Sequence, residues 1–126
     1  MSTRIVDLFA GCGGLSLGFE QQGFDIVAAF EWWDAAIKCY EANFSHPVLK
    51  VDLSDTVMIG EVALDGMLRS INGALAIAIT AKENGIKNLF VPKDNAVEAA
   101  VVDGIDVYGV NNIKELIAHL QGEKLI

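Results

Sequence analysis

Positive charge is scarce in this chain. Nine Lys and Arg stand against 17 Asp and Glu, a net charge of -8. The acid is spread along the sequence, so it favours solubility and leaves no general basic surface for nucleic acid. A DNA-binding role therefore finds little support in the charge balance. Cysteine is scarce too. Cys12 and Cys39 are the only two, and neither sits in a C-x-x-C pair. No signal peptide precedes them, so both are expected to be reduced thiols in a cytoplasmic protein, each a small buried residue. His46 and His119 lie far apart, with no Cys or Asp at ligand spacing, which excludes a zinc site. No apolar run approaches the ~20 residues that span a bilayer. The alanine-rich stretch Gly73 to Ala81 is too short and has a charged end, so no membrane span is expected. A Pro/Gly/Ser linker, an internal repeat and a low-complexity tract are also missing. What remains is globular, with 52% of its 126 residues hydrophobic. The length suits one domain, or two small subdomains sharing a core.

The first half alternates strand and helix. Arg4 to Phe9 is a short apolar strand that runs into Gly11, Gly13 and Gly14. Leu15 to Gln22 follows as a helix closed by Gly23, and Phe24 to Phe30 is a second strand. Asp34 to Phe44 carries Ala36, Ile37, Tyr40 and Phe44 at helical spacing, and His46-Pro47 breaks it. Val48 to Val51 is a third strand. Residues 1–52 thus read βαβαβ, which implies parallel strands with crossover helices. After a short polar join near Ser54 to Thr56 the pattern is ββαβαβα. Met58 to Leu64 and Met67 to Ile71 flank Asp65-Gly66, a hairpin signal. Gly73 to Asn84 is a helix, Asn88 to Val91 a strand, Asn95 to Val102 a helix, Val107 to Val110 a strand and Asn112 to Gln121 a last helix. Asn95 and Asn112 are expected N-caps. The fold class is α/β, a mostly parallel sheet flanked by helices.

A strand followed at once by G-C-G-G and a helix lets a ligand approach the backbone, because glycines remove the Cβ atoms that would block it. Glu31 ends the second strand about 20 residues later, a spacing that suits a carboxylate reaching ribose hydroxyls. Trp32 can stack on an adenine face, and Asp52, at the end of the third strand, can accept from an adenine amino group. All three lie at the carboxyl edge of one sheet, where open α/β folds bind ligands. The alternative is structural: a tight turn and a core Trp pair.

These residues resemble a known family. "DLFAGCGGLSLGFEQQGF" looks like the first motif of DNA (cytosine-5) methyltransferases. "FEWWDAAIKCYEANF" resembles their second motif with its helix, and "VDLSD" resembles their third. The likeness covers residues 3 to about 55. It implies a Rossmann-like segment that binds S-adenosylmethionine, with Phe9, Gly11 and Gly13 lining the methionine end. Glu31 would hold the ribose, and Trp32 and Asp52 the adenine. The family attacks a flipped cytosine with the cysteine of a Pro-Cys pair. Here Pro47 and Pro92 are followed by Val and Lys. The family's glutamate-asparagine-valine triplet, arginine-rich strand and target-recognition region are also missing. The resemblance implies cofactor contacts and no catalytic residue.

From "GEVALDGMLRSINGALAIAITAKENGIKNLFVPKDN" to "IAHLQGE" the chain resembles something else. Residues 58 to about 124 look like the N-terminal domain of magnesium-chelatase-like, competence-associated AAA ATPases, and more distantly like the Lon-type protease domain. No G-x-x-x-x-G-K-[ST] is present, so no ATP hydrolysis is expected. The Lon-type dyad lysine would fall near Leu75, where there is none, so no proteolysis is expected either. Asp65 is read as a turn residue, and His46 and His119 as structural.

Two segments, 1–55 and 56–126, thus point to a chimera, either a natural gene remnant or an engineered fusion. As an enzyme the chain is incomplete. As a binding module it would hold S-adenosylmethionine, a small-molecule partner, without turnover. As an inert interaction domain it would hold nothing. The first segment alone would leave a sheet edge open, which invites a homo-oligomer.

Overall fold

The computed structural model describes residues 3–126. The chain divides into two compact units, Met1–Asp52 and Leu53–Ile126.

The first unit runs β1 (Arg4–Asp7), α1 (Gly14–Gln21), β2 (Asp25–Glu31), α2 (Asp34–Asn43) and β3 (Val48–Lys50). Its strands form one parallel sheet in the order β1-β2-β3. The expected βαβαβ order is therefore the observed one. β1 stops two residues short of Phe9. Its register against β2 shifts between Ile5 and Val6. Pairing with β2 resumes at Ala10, whose N–H reaches the Phe30 carbonyl at 3.0 Å. α1 ends where Gly23 takes a φ of 81°. The Gly23 N–H donates to Glu20 at 3.0 Å and the Phe24 N–H to Phe19 at 3.1 Å. The Phe19 and Phe24 rings meet edge-on at 5.4 Å, the hydrophobic contact that accompanies this type of cap. Ala10, Ala29 and Tyr40 form a buried cluster, with Phe44 and Val48 packed on it.

The second unit runs β4 (Thr56–Met58), β5 (Glu61–Val62), β6 (Leu68–Arg69), α3 (Ala74–Glu83) and β7 (Asn88–Pro92). A 3-10 turn (Lys93–Asn95), α4 (Ala96–Ala99), β8 (Asp106–Val110) and α5 (Ile113–Leu120) complete it. β4, β7 and β8 make a second parallel sheet, and β5 and β6 a small antiparallel hairpin. The strands thus fall into three sheets where the sequence reading has one. The hairpin turns at Asp65-Gly66, as expected, with the Met67 N–H on Asp65 Oδ1 at 3.0 Å.

The run from Met58 to Leu64 is not one strand. Its start joins the parallel sheet, where the Ile59 N–H donates to Phe90 at 3.0 Å. The return bond to Ile59 would have to come from residue 92. That residue is Pro92, which has no N–H, so the ladder ends and the chain turns off at Gly60. β7 alternates its faces. Leu89 and Val91 join Ala74, Ala78, Ala81 and Ala99 in one buried cluster. Phe90 joins Val110 and Leu116 in another, so helices cover both sides of this sheet.

Asn112 caps α5 as expected, its Oδ1 accepting the Glu115 N–H at 2.9 Å. Asn95 does not cap α4. Its buried amide pairs instead with the main chain of Ile71, accepting the N–H and donating to the carbonyl, both at 2.9 Å. That side chain is spent on tertiary structure, and α4 is a single turn. Among the described residues no helix is long and apolar enough to cross a membrane.

Candidate functional site

The glycine turn and the end of β2 meet at the carboxyl edge of the first sheet. Glu31 Oε2 accepts the Gly11 N–H at 2.8 Å. Its other oxygen accepts the N–H groups of Trp32 at 2.8 Å and Trp33 at 3.0 Å. The Trp33 N–H foremost, with those of Trp32 and Gly11, holds the carboxyl below its ordinary pKa against an opposing desolvation that outweighs either of the last two. A carboxylate offers about four acceptor positions, so three bonds leave it room for about one more donor.

The end of β3 lies alongside, because the Val51 N–H donates to the Glu31 carbonyl at 3.0 Å. Asp52 follows directly and is exposed. Trp32 and Trp33 are more than half exposed, so the Trp pair is not core. Phe9 stands elsewhere. It lines a groove of about 460 Å³ with Ile5, Val6, Asp7, Leu8, Leu15 and Phe19.

Gly11 and Gly13 both have left-handed backbones, with φ of 54° and 95°. They differ in surroundings. A Cβ on Gly11 would meet open space, whereas one on Gly13 would overlap the Phe44 ring and lie 3.0 Å from Tyr40 Cδ2. Gly13 therefore lets α2 pack against the turn. Gly11, Glu31 and the Trp32 backbone are joined by hydrogen bonds, Asp52 is adjacent through β3, and Phe9 lies on the β1–α1 side.

Beneath the turn runs a polar chain that the sequence reading missed. Ser16 Oγ donates to the buried Asp7 Oδ2 at 2.7 Å. The Tyr40 hydroxyl donates to Ser16 Oγ at 2.8 Å and meets His46 Nε2 at 2.6 Å. His46 Nδ1 faces Glu20 Oε1 at 3.4 Å. Asp7 can only accept, which fixes the direction of each donor and makes His46 Nε2 the donor to Tyr40. Burial, and next to it the nearby Asp7 and Glu20 charges, raise the Tyr40 pKa although its bond to Ser16 opposes this. The available signal was Tyr40 on an apolar helix face, since a buried phenol needs a partner. His46 is a loop residue, as expected, but one that anchors this chain. His119 packs against the Phe90 and Tyr108 rings at 5.4 and 5.1 Å.

A parallel βαβαβ unit with a strand–glycine turn–helix tied to an acid at the next strand end is the frame of an α/β nucleotide-type site. The particular family follows from comparison. The C-5 cytosine-specific DNA methylase profile matches residues 3–70, more than half of the chain, and the chain belongs to that family. The match runs past residue 55, where the resemblance was expected to end. Type II methyltransferase M.HindV of Haemophilus influenzae is 64% identical over 50 residues, 40% of this chain and 16% of its own length. Type II methyltransferase M.HgiGI of Herpetosiphon aurantiacus is 56% identical over 52 residues, 41% of each. The uncharacterized protein Rv2897c of Mycobacterium tuberculosis is 43% identical over 70 residues, 56% of this chain and 14% of its own length. The matched stretch thus spans about a sixth of M.HindV.

Proposed function

We propose that the first unit is the S-adenosylmethionine-binding segment of a DNA (cytosine-5) methyltransferase and that this chain holds the cofactor without transferring its methyl group. The bond between Glu31 and the Gly11 N–H carries the reading. It sets an acceptor with spare capacity beside an open glycine turn. Glu31 would take a ribose hydroxyl, Trp32 would stack on the adenine and Asp52 would accept from its amino group. Phe9, Gly11 and Gly13 would flank the methionine end, Gly13 through the shape of the turn. None of the 126 residues forms a Pro-Cys pair, so the nucleophile for methyl transfer is lacking here.

For residues 56–126 the proposal is a Lon-like segment of separate origin. Its support is the likeness of residues 58 to about 124 to that domain, together with the hairpin followed by alternating helices and strands. A second reading, an inert scaffold, draws on the same glutamate, whose three main-chain bonds serve the turn without any ligand.

Calorimetric titration with S-adenosylmethionine separates the two. Saturable heat, abolished in Trp32→Ala and Asp52→Ala, supports the cofactor site. No heat from a folded protein at high ligand concentration leaves the scaffold.

A further inference from the structure

Two of the asparagines precede a glycine, Asn72–Gly73 and Asn84–Gly85, and they stand at opposite ends of one helix. Gly73 is the N-cap of α3 and Asn84 its C-cap. All four residues are exposed, but they are held differently.

Asn84 is tied down. Its Nδ2 donates to the Thr80 carbonyl at 2.8 Å. Its main-chain N–H reaches the carbonyls of Thr80 and Ala81 at 3.1 Å, and the Gly85 N–H donates to Lys82 at 3.0 Å. Asn72 is a bare link between two anchors. On one side the Ile71 N–H and carbonyl are both bonded to the Asn95 amide at 2.9 Å. On the other the Gly73 carbonyl accepts the Ile77 N–H at 3.1 Å. Among the described residues neither the Asn72 side-chain amide nor the Gly73 N–H has a hydrogen-bond partner. Gly73 also has open space where a Cβ would stand, so nothing crowds its nitrogen as it nears the preceding side chain.

We propose that Asn72 is a site of spontaneous deamidation and that the same fold protects Asn84. The Gly73 nitrogen attacks Asn72 Cγ. The N–Cγ bond forms, the Cγ–Nδ2 bond breaks, and Nδ2 leaves with the proton from Gly73 as ammonia. Water then opens the cyclic imide. Attack at Cγ gives aspartate, and attack at the main-chain carbonyl carbon gives isoaspartate. One water is consumed for each ammonia released, and no oxidant, metal or cofactor takes part. Either product sets a carboxylate just before α3, where the helix dipole favours it. Isoaspartate also inserts a methylene into the main chain between the Ile71 anchor and the helix. The cofactor reading of the first unit has no bearing on this chemistry.

The test is peptide mass spectrometry of the whole chain, incubated in mildly alkaline buffer and sampled over time, folded and in concentrated urea. In the folded protein the Asn72 peptide should change from amide to acid and split into two chromatographic products, aspartate and isoaspartate. Asn84 must first give up its side-chain and glycine bonds, so its conversion should be slower by roughly tenfold or more. In urea the two sites should convert at similar rates. Asn72→Gln should fold and give no product at that position. Equal rates at both asparagines of the folded protein would overturn the proposal. So would an Asn72 that stays intact while the urea sample converts, or a rate difference of the same size in urea.

Discussion

Glu31 and Gly11 are twenty residues apart and joined by a 2.8 Å hydrogen bond from the main chain of one to the carboxylate of the other. That bond closes the carboxyl edge of the first sheet. It ties the conformation of the glycine turn to the charge of a single side chain. Its folded pKa lies below the ordinary glutamate value, with Trp33 the leading cause. A depressed folded pKa contributes stability above the unfolded value of about 4.3 and loses it as pH falls through the folded one. Glu31→Gln should cost about 1 kcal/mol at neutral pH, a figure kept small because the group is only partly buried. The urea midpoints of the two proteins should converge in acid. A gap that stayed constant down to low pH would show that the charge is not its source.

Gly11 and Gly13 should respond differently to alanine. Both need a left-handed backbone, which costs an alanine about 1–2 kcal/mol. Gly11→Ala meets only that cost, since open space surrounds the new methyl. Gly13→Ala must also displace the Phe44 ring, which stacks on Tyr40 at 4.4 Å. Overpacking of this kind adds about 1–3 kcal/mol. Denaturant melts of the two variants should rank them in that order. Equal losses would mean that Phe44 swings aside freely.

The order of elements was legible because hydrophobic period and glycine punctuation agree along the chain, as at Gly23 and at Asp65-Gly66. The division of the run from Met58 to Leu64 was not, because it depends on Pro92, a residue far along the chain that removes one ladder donor. Asn95 looked like a cap for the same reason: local chemistry favours that role, and the Ile71 main chain outcompetes it. At the candidate site the turn, Glu31 and Asp52 could be read from spacing. The partners of Tyr40 could not, since Ser16 and His46 come together around it only when α1 and α2 pack. Cys12 is exposed and Cys39 partly so, so neither is the buried residue expected from the sequence.

Asn95→Ala should be costly for so short a helix. The buried amide satisfies one donor and one acceptor of Ile71, and both would be left without it. Each unsatisfied buried group costs about 1–3 kcal/mol. Asn112→Ala removes a single cap bond, at about 1 kcal/mol. Hydrogen exchange at the Ile71 amide should accelerate in Asn95→Ala and stay protected in Asn112→Ala. Retained protection in both would mean that another group replaces the amide.

The Asp7–Ser16–Tyr40–His46 chain should behave as one unit. Tyr40→Phe keeps the ring on Phe44 but takes the donor from Ser16 and the acceptor from His46, and should cost about 1–3 kcal/mol. Ser16→Ala takes from Asp7 the hydroxyl it accepts, in a site already closed to water, and should cost a similar amount. Because the two hydroxyls bond each other, the double variant should lose less than the sum, with a coupling of about 0.5–3 kcal/mol. Thermal or denaturant unfolding of the four proteins in the cycle measures it. Strict additivity would mean that each hydroxyl finds its own replacement partner, and that the chain beneath the turn is a set of neighbours with no mutual support.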